Sequence, residues 1–363
     1  LGYDINRAFA SKPKFGSHYA VNLLKALVRE NDEISLFLYS NQNKRTLSRF
    51  KEELEHPSVK FRNYISPKRL ITDKKLDIFH GFGDFCPDAK KLKRVISLTE
   101  FSVFNSPSYE SNGNQSKTDK FIDALKNYDK IICPARTAAK LLVEYSPGRA
   151  DDIVVIKPGL GFEFKSPPDE QSIQKTKNEL GITEDFFLYV GKMEIGRNIP
   201  VMIKGYKRYW GRSQSVPSLV MVADQEGSAK ESLLGGTELL QSKGKLVITG
   251  TLPDEQLFNL YSSAKALIHP IVNDIYSPQV IEAMSNGVPV LCSAQGFGAE
   301  LDHDSARFID PSDPEDICGA LDAIENNAEY RAKLIGAGRR FASEYKWSNT
   351  ASAILDLYSN LLK

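Results

Sequence analysis

Two carboxylates, Asp274 and Glu282, stand eight positions apart in Asp-Ile-Tyr-Ser-Pro-Gln-Val-Ile-Glu, and an apolar helical pattern follows to Gly287. Ser277 suits an N-cap, Pro278 the first helical position and Gly287 a terminator. Asp274 is therefore expected on the loop ahead of the helix and Glu282 within it. They read as two walls of a pocket at a helix N-terminus, where the backbone N–H groups of Gln279 and Val280 are expected to be free to hold an anion. A polyol between carboxylates, with phosphate at a helix end, is what a nucleotide-sugar enzyme requires. A plainer reading exists, because the helix dipole favours Glu near a helix start whatever the function.

A second segment has the same flavour. After the apolar run Phe186–Val190 comes Gly191-Lys-Met-Glu-Ile-Gly-Arg-Asn198, a turn with two glycines and the cations Lys192 and Arg197. Cations there suit a diphosphate leaving group, whose charge grows as a glycosidic bond breaks; surface cations on a glycine turn are the alternative. Gly16, in Lys14-Phe-Gly-Ser-His, precedes a helical pattern and marks either a phosphate contact or a turn.

Other chemistries find less support. The pairs Gly81/Gly83, Gly159/Gly161 and Gly296/Gly298 lack the third glycine of a dinucleotide fingerprint, and no Gly-Lys-Ser/Thr occurs. Asp302-His303-Asp304 imitates a metal-binding Asp-x-Asp but follows no apolar strand, and the histidines show no metal-ligand spacing, so no metal is expected. A Gly-x-Ser-x-Gly elbow is absent.

These segments need a scaffold, and the pattern supplies one. Apolar or β-branched runs predict strands over Ile34–Tyr39, Leu76–His80, Val95–Leu98, Lys130–Cys133, Ile153–Ile156, Phe186–Val190, Leu219–Val222, Leu246–Thr249, Ala266–His269 and Val288–Cys292, with Leu1–Ile5 also strand-like. Helical patterns alternate with them, as in Ser17–Arg29, which predicts α/β units with parallel sheets. The length of 363 residues fits two domains. The polar, proline-bearing stretch that begins after Phe164, followed by one polar helix leading into Phe186, predicts a linker over 166–185 between domains at 1–165 and 186–345. An amphipathic helix over 346–363 docks on a partner that periodicity does not name.

Residues 1–150 carry a net charge of +9 and the remainder −8, within an overall +1. The excess is densest over Asn41–Lys75, with a second cluster at Lys90, Lys91, Lys93 and Arg94. That pattern suits an anionic membrane surface, or a merely solvated face, more than nucleic acid. Cys86, Cys133, Cys292 and Cys318 are widely spaced and read as buried thiols of a reduced compartment. No charged-then-apolar leader and no 18-residue apolar run occurs, so a cytoplasmic protein is expected, peripheral on the inner face of the plasma membrane.

Leu188-Tyr-Val-Gly-Lys-Met-Glu-Ile-Gly-Arg-Asn-Ile-Pro resembles the donor-phosphate turn of retaining glycosyltransferase family 4, which has the GT-B fold. Gly250-Thr-Leu-Pro-Asp-Glu-Gln-Leu and Leu260-Tyr-Ser-Ser-Ala-Lys-Ala-Leu-Ile-His-Pro are similar to its base-binding region. Asp274–Val290 is similar to its Glu-x7-Glu signature, and Gln295-Gly-Phe-Gly-Ala-Glu to its following glycine loop. The resemblance is specific from Phe186 onward and looser before it. It implies two Rossmann-like domains facing across a cleft, with the last helix returning toward the first domain. It implies a metal-independent enzyme without a cofactor that transfers hexose or deoxyhexose from a GDP-, UDP- or dTDP-linked sugar. The acceptor would be a glycan or lipid-linked molecule of bacterial surface polysaccharide synthesis.

By the same resemblance Lys192 and Arg197 bind the diphosphate, Glu282 the ribose and Asp274 the sugar. Gly16, Gly191, Thr251, Tyr276, Ser277, Gln279 and Val280 complete the donor site, and His80, Thr99 and Glu100 lie on the acceptor side. Departures are visible: Asp274 is one methylene shorter than the usual Glu, Ile275 and Ser277 replace glycines, and Thr99 stands where a His is common. They leave open a catalytically weak nucleotide-sugar-binding protein, or a GT-B epimerase.

Overall fold

The computed structural model describes residues 1–5, 15–31, 34–40, 54, 56–63, 76–82, 92–99, 101, 104, 112–160, 167–194, 196–212, 216–223 and 233–363, with side chains for all of these except 15–17, 63 and 112–117. The chain divides into two compact units, Leu1–Gly161 with Tyr345–Lys363, and Phe162–Glu344.

The first unit holds strands β1 (Gly2–Asp4), β2 (Leu36–Ser40), β3 (Val59–Asn63), β4 (Ile78–Gly81), β5 (Lys93–Ser97), β6 (Lys130–Cys133) and β7 (Ile153–Val155), and helices α1 (Phe15–Glu30), α2 (Asn112–Leu125) and α3 (Arg136–Tyr145). The strands form one parallel sheet ordered β3-β2-β1-β4-β5-β6-β7. A parallel sheet is covered on both faces, so its strands read as continuous apolar runs. In β2, Leu36 and Leu38 share a core with Leu23, Leu24 and Leu27 of α1, while Phe37 and Tyr39 join Phe79 in a separate cluster.

The second unit repeats the theme with β8 (Phe186–Val190), β9 (Ser218–Val222), β10 (Leu246–Ile248), β11 (Ala266–His269), β12 (Val290–Ser293) and β13 (Arg307–Ile309). Its helices are α4 (Glu170–Glu179), α5 (Ile199–Arg212), α6 (Glu238–Ser242), α7 (Asp254–Ser263), α8 (Pro278–Ser285), α9 (Pro314–Asn326) and α10 (Ala328–Ala342). The parallel order β10-β9-β8-β11-β12-β13 is that of a doubly wound dinucleotide-binding sheet. Strand order reverses between β8 and β11, and ligands of such sheets bind outside the strand ends at that point.

Three readings change. The segment 166–185, read as a linker, contributes α4, capped by Asp169 and fastened to α7 where Asn259 Nδ2 donates to Ser172 O and Thr176 Oγ1. It belongs to the second unit. Strands β3 and β13 went unpredicted; β3 carries Lys60 and Arg62 on a sheet edge, and β13 is three residues long. Helix α1 begins at Phe15, so Gly16 lies in its first turn instead of ahead of it.

The final helix, α11 (Trp347–Leu361), is part of the first unit. Trp347 Nε1 donates to Leu160 O at 2.8 Å and Thr350 Oγ1 to Lys157 O at 2.8 Å. The Trp347 ring fills the space a side chain on Gly159 would occupy. Deeper in, the Tyr358 hydroxyl lies 2.5 Å from both the Tyr3 hydroxyl and His80 Nδ1, while His80 Nε2 lies 2.8 Å from Ser97 Oγ.

Candidate functional site

The two segments with chemical promise emerge from the strands that flank the switch point of the second sheet. Gly191–Asn198 follows β8, and Pro270–Ser277 follows β11. They are tied together: Asn198 Nδ2 donates to Pro270 O at 2.8 Å, and Arg197 Nη1 lies 3.3 Å from Asp274 Oδ1. Asn198 takes a left-handed backbone at φ 55, which Asn tolerates better than most residues. The Tyr189 hydroxyl donates to Lys192 O at 3.0 Å and lies 2.9 Å from where a Cβ on Gly191 would sit.

Charge in this turn is shared. Glu194 lies 3.4 Å from Lys192 Nζ and 3.8 Å from Arg197 Nε, so it links the two cations. Lys192 is largely exposed, whereas Arg197 is mostly covered.

Asp274 is held on all sides. Its Oδ2 accepts from Ser277 Oγ at 2.7 Å and sits 3.1 Å from His269 Nε2, while Oδ1 faces Arg197. Burial alone would raise its pKa; contacts with His269, Arg197 and Ser277 outweigh burial and lower it, so Asp274 is an anion at neutral pH. Its backbone is fixed from the other side, where Phe297 N donates to Asp274 O at 2.5 Å. Gly296 makes that approach possible. It sits at φ +58, and a Cβ there would fall 2.5 Å from Val272 O and 2.7 Å from Asp274 O. The Tyr276 and Phe297 rings pack edge to face at 5.5 Å.

Helix α8 starts and stops where expected, with two differences. The Ser277 side chain makes no capping bond, because its hydroxyl is spent on Asp274. Val280 N is not free but donates to Ser277 O at 3.1 Å, and Val280 is buried. At the other end Gly287, at φ +74, closes a Schellman motif: Gly287 N donates to Met284 O and Val288 N to Ala283 O.

Glu282 is 9% exposed. Burial pushes its carboxyl up to about 8; Tyr261 works against the shift and Asp254 adds to it. At neutral pH it is mostly protonated, a donor as well as an acceptor. Thr251 is exposed in the turn after β10.

In the first unit, two of the three acceptor-side residues, His80 and Thr99, are described. His80, expected to face a substrate, is wholly buried with both ring nitrogens engaged, and burial lowers its pKa to about 3. Strand alternation turns it into the core shared with α11. Thr99 is half-buried beyond β5, and Glu100, most of Asn41–Lys75, Lys90, Lys91 and Cys86 lie outside the described residues. Cys133, Cys292 and Cys318 are buried free thiols. His303 and Asp304 sit on an exposed turn beside Lys333. No described helix is long and apolar enough to cross a membrane.

His269, Glu194, Asn198 and Tyr261 were not singled out from the sequence. His269 had one usable signal, its place at the carboxyl end of a predicted strand.

Residues 170–341 match the family model of glycosyl transferases group 1. The chain is 22% identical over 302 residues to the O-antigen chain mannosyltransferase B of Escherichia coli, covering 82% of this chain and 78% of the relative. It is 25% identical over 238 residues to the serotype-specific mannosyltransferase WbdA of Escherichia coli; that match covers 65% of this chain but only 29% of WbdA. Among solved structures, Anabaena HepE in complex with UDP and glucose superposes with a TM-score of 0.74 at 13% identity, over 99% of both chains. The second unit thus carries a glycosyl transferases group 1 domain, and the chain has the GT-B fold.

Proposed function

We propose that the chain is a retaining hexosyltransferase that moves a hexose or deoxyhexose from a GDP-, UDP- or dTDP-linked donor to a glycan or lipid-linked acceptor of a bacterial surface polysaccharide. Mannose is the first sugar to test, because the relative matched over 302 residues, and WbdA matched over 238, are mannosyltransferases. The observation that carries the reading is the meeting of Arg197 and Asp274 at the switch point, a cation for the diphosphate beside a carboxylate for the sugar.

In this scheme the diphosphate lies against the turn after β8. Arg197 already points at the site, and Lys192 reaches it by leaving Glu194. As the anomeric bond breaks, negative charge grows on the departing diphosphate. Preorganised cations then stabilise the transition state more than the bound donor, by roughly 3 kcal/mol each. Asp274 accepts from a sugar hydroxyl through Oδ1, and Glu282 engages the ribose. The cations supply the charge compensation, so transfer proceeds without a metal. The basic first half keeps the enzyme at an anionic leaflet where a lipid-linked acceptor resides.

A second reading, a binding protein without turnover, draws on how fully Asp274 is occupied. Diphosphate release from GDP-mannose, UDP-glucose and dTDP-linked sugars separates the two. Release that persists in EDTA supports the proposal; binding without release with any of them supports the second reading; release that returns only with Mn²⁺ or Mg²⁺ overturns metal independence.

A further inference from the structure

Asp274, His269 and Ser277 form a cluster of the residue types found in nucleophilic triads, yet the geometry is different. In a triad the carboxylate and the hydroxyl bind opposite nitrogens of the imidazole. Here both oxygens converge on Nε2, with Asp274 Oδ2 at 3.1 Å and Ser277 Oγ at 3.0 Å. Nδ1 is buried without a hydrogen-bond partner, and the His269 side chain is 4% exposed. Because the Ser277 hydroxyl donates to Asp274, its oxygen and the carboxylate both present lone pairs to Nε2, which therefore carries the proton. A ring with no base function on its second nitrogen activates nothing. It holds.

What it holds is one oxygen of a carboxylate that has two jobs. With Oδ2 gripped by His269 and Ser277, Oδ1 is turned to Arg197 at 3.3 Å and keeps lone-pair capacity on a side chain 16% exposed. We propose that His269 is a positioning residue for donor-sugar recognition: its Nε2–H, with the Ser277 hydroxyl, locks Asp274 so that Oδ1 meets both Arg197 and a hydroxyl of the donor sugar. The proposal rests on the donor-site reading given above. A short Asp side chain has one fewer rotatable bond than Glu, and two fixed donors at its base set its direction. The three residues come from the end of β11, the loop and the start of α8, so the lock also ties strand to helix.

The test is a double-mutant cycle read by calorimetric titration with GDP-mannose and UDP-glucose, and with GDP and UDP alone. Wild type is expected to bind at least one diphosphate and its sugar. His269→Leu should weaken the nucleotide sugar about tenfold or more, the range for a lost charge-assisted hydrogen bond, and leave the diphosphate within about threefold. In an Asp274→Ala background the same change should cost nothing further, because the residue it positions is gone. His269→Gln, which returns a donor near the Nε2 position, should restore affinity to within about threefold of wild type; a packing role gives no such rescue. Thermal melts confirm that each variant is folded. An equal loss in both backgrounds, an equal loss for diphosphate and sugar, or a Gln variant no better than Leu overturns the assignment. Wild type that binds none of the four ligands overturns the donor-site reading itself, and this inference with it.

Discussion

The pairing of Arg197 with Asp274 changes what single substitutions should do. Arg197→Ala removes a cation that is mostly covered and aimed, and turnover should fall roughly 10²–10³-fold, the range for one transition-state donor. Lys192→Ala, at an exposed side chain that must first leave Glu194, should fall less; steady-state turnover within threefold of wild type in both variants would sink the diphosphate assignment. Glu282 gives a prediction that needs no substrate. Its carboxyl is pushed from 4.5 to about 8, so the folded state holds a proton that the unfolded state releases. The stabilisation is complete below pH 4.5 and is lost as pH rises through 8. Glu282→Gln, which does not titrate, should therefore gain stability relative to wild type between pH 5 and pH 8 and run parallel above pH 9. A stability difference that stays flat over that range in urea denaturation contradicts a protonated Glu282. The residue types of this site were legible because Asp274, Glu282 and Lys192 stand at telling positions in loops and helix starts. Their mutual contacts were not, since Arg197 meets Asp274 only where two loops fold together, and His269 meets it only where the loop after β11 turns back on its strand.

At the scale of elements, the loop Gln295–Glu300 matters more than its sequence suggested. Gly296 sits against the backbone oxygens of Val272 and Asp274, so Gly296→Ala forces that loop off the Asp274 segment. We expect a stability loss above about 1 kcal/mol from the left-handed backbone alone, together with weaker nucleotide-sugar binding. A variant as stable as wild type by urea denaturation would show that the contact is not tight. Strands β6, β8 and β11 matched their sequence signals residue for residue, because buried parallel strands are continuous apolar runs bounded by turns. Edge strand β3, with alternating Lys60 and Arg62, lacks that signature. Helix α4 was visible as a helix, but its polar face concealed that Thr176 packs on α7.

At the scale of the molecule, the last helix completes the first unit. Amphipathy announced α11, but only the structure names its partners, Tyr3, His80 and the carbonyls of Lys157 and Leu160. Burial lowers His80 from 6.5 to about 3, so its contribution to stability is present above pH 6.5 and is lost as pH falls toward 3. His80→Gln should flatten that acid limb in thermal melts between pH 6.5 and pH 3.5, and an unchanged limb would contradict the buried neutral ring. The charge split between the halves gives another expectation. Pelleting with anionic vesicles should exceed pelleting with neutral ones and decline with salt, since surface charge is screened over ~10 Å at 0.1 M; equal pelleting with both counts against membrane contact. The central claim is that the switch point of the second sheet holds a nucleoside-diphosphate sugar. Calorimetric titration of wild type and Arg197→Ala with GDP, UDP and their sugars tests it most directly. The account predicts saturable binding of at least one pair by wild type and a loss of about tenfold or more in the variant. Equal affinities in the two proteins, or no binding by either, would contradict it.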